Sequence, residues 1–340
     1  MNDTNTYILG IESSCDDTAA AVIHNGVVLA NVVATQKIHE EYGGVVPELA
    51  SRAHQKNIVP VVSQALRRAN IDKNQLSAIA FTRGPGLMGS LLVGTSFSKS
   101  LAMGLDIPLI AVNHMQAHIL AHFIKAEDQT APNFPFLALT ISGGHTQIVK
   151  VTSYFEMEVI GQTIDDAVGE AFDKSAKILG LPYPGGPLID TYAQQGNPKA
   201  FRFTKPKVKP MDFSFSGLKT AVLYFVEKQV DLNPDFISEN IEDVCASLQH
   251  TIVEYLMDKL KNAVKATGIK EIAIGGGVSA NSGIRKALKD AEQKYGWKTH
   301  IPNFEYCTDN AAMIAIVGEL KYKQGIFNTQ EIAANARMKL

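Results

Sequence analysis

The chain has 340 residues, of which 46% are hydrophobic and 19% charged, with a formal net charge of −2. That length exceeds a usual single domain and the composition suits a large core, so two lobes are expected and disorder is excluded. The charge balance excludes a global basic field of the kind nucleic-acid binders carry, so any RNA contact must come from a local patch or from associated proteins.

Cys15, Cys245 and Cys307 form no CxxC pair. An odd, unpaired set fits a reducing compartment and argues against a disulfide framework or a thiolate zinc site. Met1–Thr6 has no basic n-region followed by an apolar stretch, and no apolar run reaches the ~20 residues of a membrane span. A cytoplasmic protein without membrane contact is expected.

Along the chain, Tyr7–Ile11 reads as an apolar strand followed by the polar turn Glu12–Asp17. Thr18–Ile23 resumes a strand, Asn25-Gly26 makes a hairpin turn, and Val27–Ala34 is a third strand. Helical periodicity spans roughly Pro47–Asn70. Ala78–Phe81 is a short buried strand, Gly84–Gly89 a glycine turn opening a helix through Ala102, and Pro108–Val112 another strand. The order then restarts: strand Phe136–Ile141, glycine turn Ser142–Thr146, strand Gln147–Val151. Helices follow near Asp166–Leu179, Ile241–Ala266 and Ser282–Lys294, with strand Glu271–Ile274 between the last two. Two copies of a βββαβα unit are expected from this order alone. Phe201–Ser216 has no regular period, and Arg202, Lys205, Lys207 and Lys209 make it either a solvated loop or a place to touch RNA phosphates.

The most chemical signal is His114-Met-Gln-Ala-His118. If Asn113 caps a helix running through Phe123, residues four apart share a face and two imidazoles can bind one metal. The zinc-peptidase motif H-E-x-x-H has the same spacing, but its glutamate is replaced here by Met115, so that chemistry lacks its base. Surface or satisfied core histidines remain the competing reading, since His122 extends the same ladder. A third ligand is available in Asp309, within Cys307-Thr308-Asp309-Asn310 ahead of a helix Ala311–Lys321, where a capping role for Asp309 or Thr308 competes.

Three glycine or polar turns follow strands: Glu12–Thr18, Ser142-Gly143-Gly144 and Gly275–Asn281. The second lets backbone N–H groups approach an anion closely, and the third leads into a helix, the context of phosphate or nucleotide binding. None is a GxGxxG or Walker A motif, so neither NAD nor P-loop chemistry is indicated. Glycine used purely for turn geometry is the alternative for each.

Taken together, Ile11-Glu-Ser-Ser-Cys-Asp-Asp17, Gly43–Arg52, Gly84-Pro-Gly-Leu87, the histidine pair, Ser142-Gly-Gly-His-Thr146, Phe215-Ser-Gly-Leu-Lys219 and Gly275–Asn281 resemble the TsaD family of tRNA threonylcarbamoyladenosine transferases. The resemblance covers about Tyr7 to Phe327. It departs at Ala53, where the family pattern often has an acidic residue, and the tail Asn335–Leu340 carries no motif.

The resemblance implies an actin/Hsp70-like (ASKHA) α/β fold of two duplicated lobes with a ligand cleft between them. Residues 6–113 with 311–330 would form a partner-binding first lobe, and 114–310 a second lobe holding metal and nucleotide. It implies transfer of the threonylcarbamoyl group from threonylcarbamoyl-adenylate to N6 of the adenosine 3′ of the anticodon in tRNA, with loss of AMP. His114, His118 and Asp309 would bind one divalent metal, Fe(2+) in the first place, with Zn(2+) as the alternative. Thr140, Ile141, Ser142, Gly143, Gly144, Asp173, Gly186, Asp190 and Asn281 would line the acyl-adenylate. No obvious catalytic base emerges; Glu12 and His145 are the candidates, with a structural role as the alternative for each. A smaller paralogous ASKHA subunit and a small ATPase are the implied partners, with the Pro47–Asn70 helix as the docking element.

Rival classes differ in what they need. A small-metabolite ASKHA kinase needs no histidine pair, and a metal-dependent carbamoyltransferase would act on a small metabolite. A non-catalytic scaffold paralogue would lack the metal ligands and the later glycine turns, all of which are present.

Overall fold

The computed structural model describes residues 6–127 and 129–340. The chain opens with β1 (Tyr7–Glu12), β2 (Thr18–His24) and β3 (Val27–Ala34), then α1 (Ile38–Tyr42), α2 (Pro47–Arg68), β4 (Ala78–Gly84), α3 (Met88–Leu105), β5 (Leu109–Asn113) and α4 (His114–Leu120). It continues through β6 (Phe136–Ile141), β7 (Thr146–Ser153), β8 (Glu156–Gln162), α5 (Val168–Ile178), α6 (Gly185–Ala193), α7 (Ser216–Leu232), α8 (Phe236–Thr267), β9 (Glu271–Gly275), α9 (Ser282–Tyr295), β10 (Lys298–His300) and α10 (Ala311–Lys323).

Two five-stranded sheets result, ordered β3-β2-β1-β4-β5 and β10-β9-β6-β7-β8. In the first, β1 pairs antiparallel with β2 and parallel with β4, and β6 does the same with β7 and β9 in the second. The duplicated order expected from the sequence is therefore present, with one more strand per copy. β10 is only three residues long, and β8 is an edge strand whose Glu156 and Glu158 face solvent. Such short or charged edges give little apolar signal. α7 was also missed, although Leu218, Val222 and Val226 recur at the four-residue spacing of a buried helical stripe.

By compactness the chain divides into one unit holding the described residues up to Pro132 with Pro302–Leu340, and a second unit, Asn133–Ile301. This differs from the expected breaks at 113/114 and 310/311. α4 follows β5 directly and packs on α10, and the turn carrying Asp309 leads straight into α10. The described residues of 114–132 and residues 302–310 consequently belong to the first unit, and the metal-ligand candidates sit there.

In the first unit the sheet is covered on both faces. Leu9, Ile11, Val22, Ile79 and Phe81 meet α2 and α3 through Ile58, Val61, Val62 and Ala102. The alternate residues face α10, which is buried over Ala311–Glu319. Small residues permit that contact. A Cβ on Gly10 would lie 2.5 Å from the Ala311 carbonyl oxygen, and one on Gly318 would lie 2.4 Å from the Ala80 Cβ. In the second unit Leu137, Leu139 and Ile141 of β6 share a core with Phe172, Val222, Leu248 and Ile252.

The Phe215–Lys219 motif is anchored by Asp165, which accepts the Phe215 N–H at 2.7 Å and the hydroxyls of Ser214 and Ser216 at 2.5 and 2.8 Å. Burial works against ionisation of Asp165, but these donors outweigh it and hold its pKa below the ordinary 3.8.

Replacing Gly10 by Ala should cost about 1–3 kcal/mol, by forcing β1 from α10, and would be read as a lower urea midpoint. Because the folded Asp165 has a depressed pKa, its contribution is present above the ordinary value of 3.8 and lost as pH falls through the folded one. Asp165→Asn should therefore lower the unfolding midpoint at pH 7, with the gap to wild type closing as the pH drops below 4.

Candidate active site

Two constellations carry the predicted site residues, one in each unit. In the first unit the loop after β1 is tightly held. The Cys15 carbonyl accepts from the Ser90 hydroxyl at 2.9 Å and from His54 Nε2 at 3.0 Å, and the Ser13 hydroxyl donates to the Ser90 carbonyl at 3.0 Å. These bonds fix Glu12, whose side chain is fully buried. Its carboxylate accepts from the Thr82 hydroxyl at 2.7 Å, from the Ser14 N–H, and from His114 Nδ1 at 3.0 Å.

α4 presents the histidine pair as its spacing predicts. Asn113 caps it, its Oδ1 accepting from Met115 N at 2.9 Å and Gln116 N at 3.1 Å. The helix ends at Leu120 and tightens into a 3-10 turn over Ala121–Phe123, so His122 leaves the ladder. The two imidazoles stand edge to face with centroids 4.7 Å apart. His114 Nε2 and His118 Nε2 lie 3.4 and 3.2 Å from the same oxygen, Oδ1 of Asp309. Donor atoms of these three residues lie within 4.8 Å of one another. The helix cap ahead of α10 is Asn310, which leaves Asp309 free of that competing role.

Electrostatics in this cluster are mutual. Burial favours neutral His114, yet the Asp309 and Glu12 carboxylates outweigh it and hold its pKa well above the ordinary value. Burial equally opposes ionised Asp309, but His114 and His118 keep its carboxyl far below the carboxylate range. His118 Nδ1 is buried and has no hydrogen-bond partner among the described residues.

In the second unit the predicted substrate residues lie on a closed ring of contacts. Thr140 pairs with Gly275 in the parallel register of β6 and β9, so the turns after both strands emerge side by side. The first turn is closed by Ser142 N donating to the His145 carbonyl at 2.8 Å and His145 N to Ser142 Oγ at 3.1 Å. Gly143 and Gly144 are exposed. The first turn of α5 rests on this segment, since a Cβ on Gly169 would lie 2.7 Å from the Ser142 carbonyl oxygen. One helical turn on, Asp173 accepts from Gly185 N at 2.9 Å and Gly186 N at 3.0 Å at the start of α6. Burial pushes the Asp173 carboxyl up.

One turn along α6, Asp190 accepts from Ser282 N at 3.0 Å, the Ser282 hydroxyl at 2.6 Å and Gln249 Nε2 at 3.0 Å. Asn281 caps α9 through Ile284 N at 3.1 Å and donates to Gln249 Oε1 at 2.7 Å. Gly276, at φ +91°, closes the ring against the Ile141 carbonyl, 2.4 Å from where a Cβ would sit. Thr140 Oγ1 is buried beside the turn with no partner among the described residues. A groove of about 780 Å³ opens next to Gln249, Ser282 and Gly283.

The structure thus brings together His114, His118, Asp309 and Glu12, and separately Thr140–Gly144, Asp173, Gly186, Asp190 and Asn281. Sequence reasoning missed Ser14, Thr82, Gln249 and Ser282. Ser14 lay within a motif already singled out and Ser282 directly follows one, but nothing marked Thr82 inside an apolar strand or Gln249 inside a long helix.

The family model "tRNA N6-adenosine threonylcarbamoyltransferase", TsaD, matches residues 27–316. A protein of that name from Christiangramia forsetii is 71% identical over 339 residues, covering 100% of both chains. One from Riemerella anatipestifer is 63% identical, covering 98% of both. Among solved structures, HypF from T. kodakarensis matches 97% of this chain and 49% of its own at TM-score 0.63 and 15% identity. The ROK hexokinase from Thermus thermophilus matches 94% and 100% at TM-score 0.50 and 18% identity. At such identities these two speak for the fold alone, which is the duplicated ASKHA architecture. On the family match and the full-length relatives, the chain belongs to the TsaD family of tRNA N6-adenosine threonylcarbamoyltransferases.

Proposed function

We propose that the protein transfers the threonylcarbamoyl group from threonylcarbamoyl-adenylate to N6 of the adenosine 3′ of the anticodon in tRNA, releasing AMP. The observation that carries this reading is full-length identity of 71% to a protein named tRNA N6-adenosine threonylcarbamoyltransferase, joined to a cluster of two buried imidazoles and one half-buried carboxylate.

Two nitrogens and one oxygen facing a common point suit a divalent cation with open coordination positions, and Fe(2+) is the first choice for such a set, with Zn(2+) the alternative. His114 has the orienting carboxylate that metal-bound histidines usually have, since its other nitrogen meets Glu12. When bound, the cation supplies Lewis acidity toward the oxygens of the mixed anhydride.

The chain's own residues do the rest. Exposed backbone at Gly143 and Gly144 accepts the phosphate, because no side chain blocks its approach. Asp173 and Asp190 spend their carboxylates on α6 and α9, which makes them builders of the nucleotide cradle. The adenine N6 lone pair attacks the anhydride carbonyl, the carbonyl–O(phosphate) bond breaks with its electron pair leaving on AMP, and the N6 proton passes to solvent. Glu12 accepts from three donors and serves to orient His114 instead of removing that proton.

A smaller ASKHA paralogue and a small ATPase are proposed as partners, the former docking on α2. Of the basic loop, Arg202, Lys207 and Lys209 are exposed, whereas Lys205 is held by Glu254 and Asp258 at 3.0 and 2.8 Å. RNA contact in this loop therefore falls to the other three.

In vitro modification of tRNA with synthetic acyl-adenylate and the partner proteins is the deciding assay. Wild type should give modified tRNA and AMP in equal amounts, and His114→Ala should lose at least about a hundredfold; transfer to a small metabolite or from ATP in place of tRNA modification would reject the reading. Glu12→Gln should weaken cation affinity about 10–100-fold by calorimetry. Lys207→Ala with Lys209→Ala should flatten the salt dependence of tRNA binding, and Lys205→Ala should leave it unchanged.

A further inference from the structure

The segment after α10 has no helix or strand, yet it crosses the first sheet in a fixed path. Asn328 N donates to the Leu109 carbonyl at 2.8 Å and its Oδ1 accepts from Ala111 N at 2.7 Å, which occupies the open edge of β5. Lys99 Nζ then holds the Ile332 carbonyl at 3.1 Å, and Arg83 Nε the Ala333 carbonyl at 3.0 Å. Asn335 N donates to the Arg83 carbonyl at 2.8 Å, and Gly86 N to the Ala336 carbonyl at 3.2 Å. Gly84 leaves room for this passage, since a Cβ there would lie 1.9 Å from the Asn335 carbonyl oxygen.

The path ends at α4. Asn113 Nδ2 donates to the Lys339 carbonyl at 2.9 Å while its Oδ1 caps the helix. The Asn113 side chain thus spans the tail and the first turn that carries His114. The same tail reaches the other support of the cluster: Gly86, which binds Ala336, precedes Leu87, whose N–H donates to the Ser14 carbonyl at 2.7 Å, and Ser14 Oγ lies 3.2 Å from His114 Nδ1.

We propose that the segment beyond Asn328 is a positioning strap for the cation site, with the Lys339 carbonyl fixing the Asn113 amide and, through it, the helix bearing both imidazoles. This rests on the cation reading above. His118 depends on it most. Its Nδ1 has no partner among the described residues, so no second bond orients the ring, and its aim follows the backbone of a seven-residue helix. A helix that short has little stability of its own and takes its direction from its cap and its neighbours.

Asn113→Ser separates the two roles of the side chain. Serine caps about as well as asparagine but has no amide to reach Lys339. Metal-free full-length protein, Asn113→Ser, a chain shortened after Arg337, and the combination are titrated with Zn(II) alone, and their metal-free melting is recorded. Each single change should weaken Zn(II) binding about tenfold, as loss of an orienting contact does. The combination should lose no more than either, because both remove one bond, and metal-free melting should stay near wild type.

Wild-type affinity in Asn113→Ser overturns the proposal, as does a combined loss that multiplies. A fall in metal-free melting large enough to explain the weakened binding also overturns it, because the tail would then be a general staple. If the shortened chain fails to fold, Asn113→Ser decides alone. Wild type that binds no Zn(II) or Fe(II) rejects the cation reading itself, an outcome distinct from tight wild-type binding with indifferent variants.

Discussion

A fully buried carboxylate at the end of β1 is the constraint on which the first unit turns. Glu12 is withdrawn from solvent, and an uncompensated anion there would cost several kcal/mol. It stays ionised because a main-chain N–H from its own loop, a hydroxyl from β4 and an imidazole from α4 converge on it. Three elements distant in sequence must therefore be in register before the cluster exists. The two glycines that let α10 lie flat on the sheet bring Asp309 to the same place from the far end of the chain.

This dependence explains which parts of the site could be read from sequence. His114 and His118 are local, since a four-residue spacing on a capped helix fixes their relation before any tertiary contact forms. Glu12 and Asp309 are not local. Their carboxylates acquire meaning only from the β1–β4 register and from α10, and neither leaves a periodic trace. Residue chemistry alone left Asp309 open between a third ligand and a helix cap, and Glu12 between a base and a structural role; the resemblance favoured the ligand for Asp309. The structure gives Glu12 to His114 and the cap to Asn310.

The second unit shows the same division. Glycine turns after strands announced Ser142–Gly144 and Gly275–Asn281, because a turn's chemistry is carried by its own residues. Gln249 was silent, being one of many polar residues in a 32-residue helix whose apolar residues make the core. Strand and helix identity followed the same rule: the central strands are buried on both faces and read as apolar runs, while β8 and β10 at the edges need only half a face or three residues.

Tail residues 335–340 illustrate the limit of reading motifs. Their side chains carry no recognisable pattern because much of what they and the residues just before them contribute is backbone: carbonyls of Ile332, Ala333, Ala336 and Lys339 accept from side chains and main chain of the first unit. Almost any residue has a carbonyl, so the sequence of such a strap is weakly determined even where its path is not. The specificity sits on the receiving side, in Arg83, Gly84, Gly86 and Asn113. Gly84 in particular makes sense only once another backbone lies against it. A path held through backbone carbonyls is legible from its footprint, and here the footprint ends on the cap of the helix that aims both histidines.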